Sequence, residues 1–529
     1  MPDIVVVGSG HNALISACYL ASEGLSVAVV ERDTVTGGAV STVERFPGYP
    51  MDRGSSAHLM IRQTGIVEEL HLDRYGLEYL DLDPWGFAPF WTGDGEQVAL
   101  TFHVDLDRTC ASIAAVCGDR DAEAYRAFAT DWAARNELVL EAFSHPPTPG
   151  RIGRSLWGLG RRTGLSGIEL SRQFLGSGDA LLDTHFDDER LKTALAWFGA
   201  QSGPPMHQPA TADLVGWAAM LHRQAPGHPR GGSGMLTQAL AARLRADGGQ
   251  LRLGDGAADI VVRDGAVRGV RTDSGELLAA PVVVAGCHVL ATLGLLGTAA
   301  PPALRSRLER GVRTGNGTGM AVRLATTDLP RYPAAAADGS THRAMQLVAP
   351  SRQALRDAYA DYLRRRPPQR PPVLAMTFSA FDDALAPPGR HNITLWGQWH
   401  PYELRDERWA DIADREARRL VAAMDEVAPG FADTVEQVHV QSPTDLEAEL
   451  GLVRGNVMHV DMTLDQMFGW RPLPELAGHR VPGVDGLYLT GASTHPGGGV
   501  FGASGRTVAR LVLSDRRGRG GRWRARLGR

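Results

Sequence analysis

The chain has 529 residues, 43% of them hydrophobic, with a formal net charge of -5; this suffices for about two to four domains and gives no basic field for a nucleic-acid backbone. Cys18, Cys110, Cys117 and Cys287 form no C-x-x-C pair and no metal-ligand spacing with the histidines, so no metal site is expected and a reducing, cytoplasmic setting is. Apolar runs such as 281–285 and 289–296 fall well short of the roughly 20 residues of a membrane span, and the first strand begins too early for a secretory signal.

Residues 4–7, Ile-Val-Val-Val, predict a strand buried on both faces of a parallel sheet. Ala13, Leu14, Ala17, Leu20 and Ala21 then recur at helical spacing, and Gly24 stands where a C-cap belongs. Residues 25–30 predict a second buried strand, which completes a right-handed βαβ unit. Its turn, Gly8-Ser9-Gly10-His11-Asn12-Ala13, reads G-x-G-x-x-A: one glycine for the turn, one for close approach of a pyrophosphate, and a small residue for helix–strand packing. The helix N-terminus would bind the diphosphate. Glu31, 23 residues after Gly8, can accept from a ribose hydroxyl. The further glycine pair Gly37-Gly38 before Ala39 suits an extended FAD, whereas an NAD domain has no standing need for it.

Residues 72–224 change character, with Trp- and Asp-containing loops, a helix over 121–143 and a Pro/Gly break at 144–150. A second α/β patch follows at 230–290, where Asp264-Gly265 predicts a hairpin turn. Residues 291–479 mix a helix starting at Glu403 with strands such as NITLWGQW. A short strand then ends at Gly491, a glycine-rich loop follows, and a helix starts at about Ala503. That helix could point its N–H groups at a flavin carbonyl. The Arg/Gly-rich end, 514–529, is expected to be unstructured.

GSGHNAL, ERDTVTGGAVST, MDRGSSAH and LYLTGASTHPGGGVFGASG, with PRGGSGMLTQALA and NVMHVDMTLDQMFGWRPLP between them, resemble the phytoene desaturase and carotenoid isomerase-like branch of the FAD-dependent amine-oxidase superfamily over nearly the whole chain. The resemblance implies an α/β fold in which a Rossmann-like, glutathione-reductase-type FAD-binding domain, discontinuous in sequence (1–71, 225–290 and 480–513), carries an inserted α+β substrate-binding domain (72–224 and 291–479). It implies noncovalent FAD held by Gly8, Gly10, His11, Asn12, Ala13, Glu31, Arg32, Gly37, Gly38, Ala39, Ala257, Gly491, Ala492, Gly498, Gly499, Val500 and Ala503. Ala13 stands where most members have glycine, and Ala257 where many have a larger apolar residue.

In such a family the flavin does the electron chemistry and the protein aligns a C–H or N–H over it, so the fold does not name the reaction. His58, His459 and Asp461 are the candidate catalytic residues, each weighed against a satisfied turn or strand-end role. His495, before a proline, reads as ordering the flavin loop. Lys192, the sole lysine, reads as a residue on the polar face of a helix. Trp396, Trp399 and Trp470 could line an apolar cavity or lie in the core. Residues 151–175 could rest on a membrane surface to collect a lipophilic substrate, with a solvated substrate-domain helix as the alternative. The expected function is an FAD-dependent desaturase, dehydrogenase or oxidase that introduces a double bond into a largely apolar small molecule. Oxygen or a quinone is the expected electron acceptor, because no second Rossmann fingerprint serves NAD(P)H. Oxidation of an amine, amino-acid-derived or carrier-tethered intermediate, flavin-dependent isomerisation, and a flavin-binding scaffold without turnover stay open as alternatives.

Overall fold

The computed structural model describes all residues except 148–149, 151–152, 155–156, 159, 162–166 and 528–529. Strand β1 (Ile4–Val7) lies between β2 (Val27–Val30) and strand Val282–Ala285, all parallel, with Val7 opposite both Val30 and Ala285. Leu487–Leu489 adds beyond Val282–Ala285, and Gln250–Arg252 adds beyond β2, which completes a five-stranded parallel sheet. Every residue of the three inner strands is buried, as continuous apolar runs require when both sheet faces are covered.

On one face, helix α1 (His11–Ser22) packs with helices Gly234–Ala246 and Ala503–Leu527, burying Leu14, Leu240 and Val508 together. On the other, a meander of Ala257–Arg263, Ala266–Thr272 and Leu277–Ala279 and the helices Val289–Leu296 and Pro302–Gly311 bury Val5, Ile260 and Leu293. Asp264 and Gly265 have φ of 52° and 69°, the left-handed pair that the hairpin turn requires.

The second lobe is built on a seven-stranded sheet in the order Val435–Gln441, Gly319–Thr326, His391–Gln398, Val373–Met376, Met345–Val348, Gly86–Trp91, Gln97–Phe102. It is antiparallel except where Met345 and Gln346 pair with Gly86 and Phe87. Met320, Val322 and Leu324 pack on one face with helix Trp409–Asp425. That helix starts later than Glu403, at its first buried apolar residue. Residues alternate across a strand, so Arg323 belongs to the opposite face. Helices Asp119–Phe143 and Glu189–Ala200 bring Tyr125, Phe128 and Trp197 into the adjoining core.

The last helix opens at Ala503 and runs past residue 514, where the composition predicts the unstructured end to begin. Asp515 there pairs with Arg480, Arg516 reaches Asp3 at 3.0 Å and Arg517 reaches Glu23 at 3.4 Å. Much of the 151–175 stretch lies outside the described residues; of those described, Trp157, Ile168 and Leu175 are exposed. Among the described residues no helix is long and apolar enough to cross a membrane.

Where α1 comes closest to the sheet, Gly286 faces Ala13: a Cβ built on Gly286 would lie 2.6 Å from the Ala13 Cβ and 3.1 Å from the Val7 carbonyl oxygen. Alanine at the third motif position is therefore accommodated by glycine across from it. Gly286→Ala is expected to cost about 1–3 kcal/mol in urea unfolding; an unchanged urea midpoint would show that the contact with Ala13 and Val7 yields without strain.

Candidate functional site

A cleft of about 420 Å³ opens at the carboxyl ends of β1, β2 and Val282–Ala285, where ligands of open α/β sheets bind. Its floor is the N-terminus of α1, whose N-cap is Gly10 and which has no capping side chain and no acidic residue in its first turn. The first helical bond runs from Leu14 N–H to Gly10 O, so the preceding N–H groups are available to an anion. Gly8 needs glycine for its φ of 88°. Gly10 does not: its φ is -61°, and a Cβ built on it would meet nothing within 4 Å. Neither backbone conformation nor protein packing requires glycine at position 10, which leaves room for a ligand to lie against the main chain there.

Glu31, at the end of β2, closes one wall. One carboxylate oxygen accepts from the Ser9 N–H at 2.7 Å and the Ser9 hydroxyl at 2.9 Å, and the other accepts from Asp33 N–H at 2.9 Å. The Gly37 N–H donates to Ser9 Oγ at 3.2 Å and Gly37 bridges Gly10, so the second glycine pair is fastened to the first. At φ 113°, a Cβ on Gly37 would lie 2.2 Å from Val40 O. From the far end of the chain, Gly491 and Ala492 enter the same cleft. Ser504 Oγ holds their loop through the Gly491 N–H at 3.2 Å and the Thr494 hydroxyl at 2.7 Å.

A second cavity of about 300 Å³ adjoins the cleft, and His11, Ala39, Leu452, His459 and Ala492 line both. One wall of this chamber is polar and glycine-rich, with Ser55, Ser56, Gly498 and Gly499; the other is apolar, with Leu214, Met220, Leu374, Met376 and Trp396. The sheet of the second lobe therefore roofs a chamber whose base is the nucleotide-type lobe.

All the expected cofactor positions from Gly8 to Ala492, including Ala257 and Arg32, line the cleft; Gly498, Gly499 and Val500 line the chamber. Ala503 lines neither and is buried at the start of its helix. Sequence reasoning missed Gly286, Cys287, His288 and the segment 449–452, which also face the cleft. Gly286 could have been found from its place at the end of an apolar strand; nothing local marks Glu449 to Leu452.

The catalytic candidates separate. His459 sits at the junction of the cavities in a left-handed conformation, φ 62°. Its Nδ1 lies 3.3 Å from Ser493 Oγ, its carbonyl is 3.0 Å from His288 Nε2, and burial holds its imidazole well below the ordinary value. His58 lines neither cavity: its ring nitrogens lie 2.8 Å from Tyr79 Oη and 2.8 Å from Ser233 Oγ in full burial. Asp461 also lies away from the chamber, where it accepts from the Asn316 N–H and the Asn456 side chain, both at 2.9 Å, and burial raises its pKa. His495 contacts Ala142 O at 3.1 Å. Lys192 is paired with Asp183 and Glu189, more buried than a polar helix face implies. Trp396 lines the chamber, Trp399 is core and Trp470 is surface.

Arg471, invisible as a functional residue in the sequence, locks this junction. Fully buried, its guanidinium donates to the carbonyls of Met458, Val460, Asp461, Gln466 and Ala492 at 2.6 to 3.1 Å. Burial lowers its pKa to about 9.

Residues 6–71 match the family described as NAD(P)-binding Rossmann-like domain. The chain is 30% identical to pyridine nucleotide-disulfide oxidoreductase domain-containing protein 2 of Rattus norvegicus, over 97% of this chain and 93% of that one. It is 26% identical to the all-trans-zeta-carotene desaturase of Myxococcus xanthus, over 94% and 90%. A solved putrescine oxidase variant shares the fold at a TM-score of 0.61 and 13% identity, over 97% of this chain and 99% of that one. FAD is the cofactor these relatives support, and the cleft fits it: the uncapped helix end, the open space at Gly10 and the Glu31 carboxylate are the groups a dinucleotide needs.

Gly10→Val should leave the unfolding midpoint of the FAD-free protein nearly unchanged while weakening FAD retention at least about tenfold, a loss of some 1.4 kcal/mol of binding; FAD released on dilution measures it, and undiminished retention would contradict a ligand at Gly10. His58 gives a different signature. Its folded pKa lies well below 6.5 through burial, so below that pH the unfolded chain binds a proton the folded one refuses, and stability falls as pH drops through 6.5 and below. His58→Gln should lessen this slope by up to about 1.4 kcal/mol per pH unit, read as urea midpoints between neutral and mildly acid pH.

Proposed function

Because this chain belongs to the phytoene desaturase-like branch of the FAD-dependent amine-oxidase superfamily and is an FAD-dependent oxidoreductase, we propose that it introduces a double bond into a largely apolar small molecule held in the chamber beside the cofactor cleft. The observation that carries the reading is that chamber: apolar on the substrate side, continuous with the cleft, and without a lining carboxylate. Bound FAD supplies the two-electron acceptor.

The chain's own residues supply the rest. Leu214, Met220, Leu374, Met376 and Trp396 desolvate an apolar chain and hold it against the glycine-rich wall, where position rather than acid–base strength decides which bond faces the cofactor. Desaturation also releases a proton. His459 and His11 are the imidazoles at the junction, within the chamber lining; burial keeps both neutral and makes them weak bases, so either can relay the proton onward but not hold it. His58 and Asp461 have no such access. The missing carboxylate argues against a protonated amine, which would lack a counter-charge there. Electrons then pass to oxygen or a quinone, consistent with the absence of a second nucleotide fingerprint in the sequence.

Anaerobic titration of the FAD-loaded protein with apolar desaturation substrates is expected to bleach the visible flavin band, and air or a soluble quinone to restore it. A flavin that cycles with amines but with no hydrocarbon-like substrate would overturn the desaturase reading. Recharging only by NADPH would overturn the acceptor.

A further inference from the structure

The molecule shows what a purely structural buried arginine looks like, and Arg323 does not look like it. Arg471 saturates its guanidinium with five carbonyl groups. Arg323, 1% exposed on the second strand of the seven-stranded sheet, has a single hydrogen bond, from Nη1 to the Thr394 hydroxyl at 2.9 Å, and its Nε is buried with no partner. The carboxylates whose charges act on it, Asp52 and Glu449, hold other partners and form no ion pair with it. Asp52 accepts from the Thr42 hydroxyl at 2.6 Å and the Ser233 N–H at 2.8 Å, and Glu449 pairs with Arg45 and Gln441. Among the described residues no carboxylate forms an ion pair with Arg323.

Burying an unsatisfied guanidinium is costly unless something completes its bonding. Arg323 lines the chamber and is the one residue of its lining with a permanent charge. Resting on the reading of this chamber as the substrate site, we propose that Arg323 anchors a carboxylate at one end of an otherwise apolar substrate. The guanidinium fork matches a carboxylate in geometry and charge, while the Leu374, Met376 and Trp396 surface beside it takes the apolar remainder. The substrate class that follows is an amphiphilic acid rather than a pure hydrocarbon. The anchor fixes one end, so the position of the bond facing the cofactor is set by its distance from the carboxylate.

The test uses the FAD-loaded full chain with decanoate and 1-decanol, read by perturbation of the visible flavin spectrum and by calorimetry. Decanoate is expected to bind at least tenfold more tightly than 1-decanol to the native protein. Arg323→Met should abolish that preference and leave the ligand-free flavin spectrum unchanged, and Arg323→Lys should keep part of it. Equal affinity of the two probes for the native protein overturns the anchor and leaves the substrate chamber standing, with no variant needed. A preference that survives in Arg323→Met, or a ligand-free flavin spectrum shifted by that substitution, overturns it as well. If neither probe binds, the chamber reading falls and the anchor falls with it.

Discussion

Arg471 takes backbone carbonyls where a buried cation ordinarily takes a carboxylate, and this one substitution of partners fixes the site. Its donors join the 458–466 segment of the second lobe to Ala492 of the nucleotide-type lobe. His459 is carried on that segment, and Ala492 lines both cavities. The relation between cleft and chamber is therefore set by hydrogen bonds to main chain, which are indifferent to the identity of the side chains they position. The chamber walls can vary while the junction stays in register.

The same economy holds at the cofactor end. Glu31 binds Ser9, Ser9 receives Gly37, and Gly37 bridges Gly10, so turn, acid and second glycine pair form one hydrogen-bonded unit. That unit was legible in the sequence because each of its members sits at a fixed offset from a buried strand, and the physical roles of glycine and carboxylate are local. The five-stranded sheet was legible for a related reason: IVVV, VAVV and VVVA are short, valine-rich apolar runs of the kind a doubly covered parallel sheet uses.

What could not be read was anything settled by partners distant in sequence. His58 looked like a candidate because it follows a Gly-Ser-Ser loop, but Tyr79 and Ser233 occupy both its ring nitrogens. Asp461 turned inward to the Asn316 and Asn456 amides. Arg471 and Arg323 are ordinary arginines in the sequence, and only tertiary burial separates a satisfied guanidinium from an unsatisfied one. The extension of the C-terminal helix past residue 514 was equally hidden, because the partners of Asp515, Arg516 and Arg517, namely Arg480, Asp3 and Glu23, come from elsewhere in the chain.

The cleft takes groups from residues 8–39, 257, 286–288, 449–452 and 491–492, and the outer strand Leu487–Leu489 joins the sheet beside one whose partner is β1. The phosphate-binding turn and the loop that closes the pocket over it are thus separated by more than 450 residues of chain, so the βαβ unit over 4–30 can form locally while the pocket exists only once distant segments have docked. Until Val282–Ala285 pairs with it, the valine-rich β1 presents an open strand edge, which invites pairing with the wrong partner.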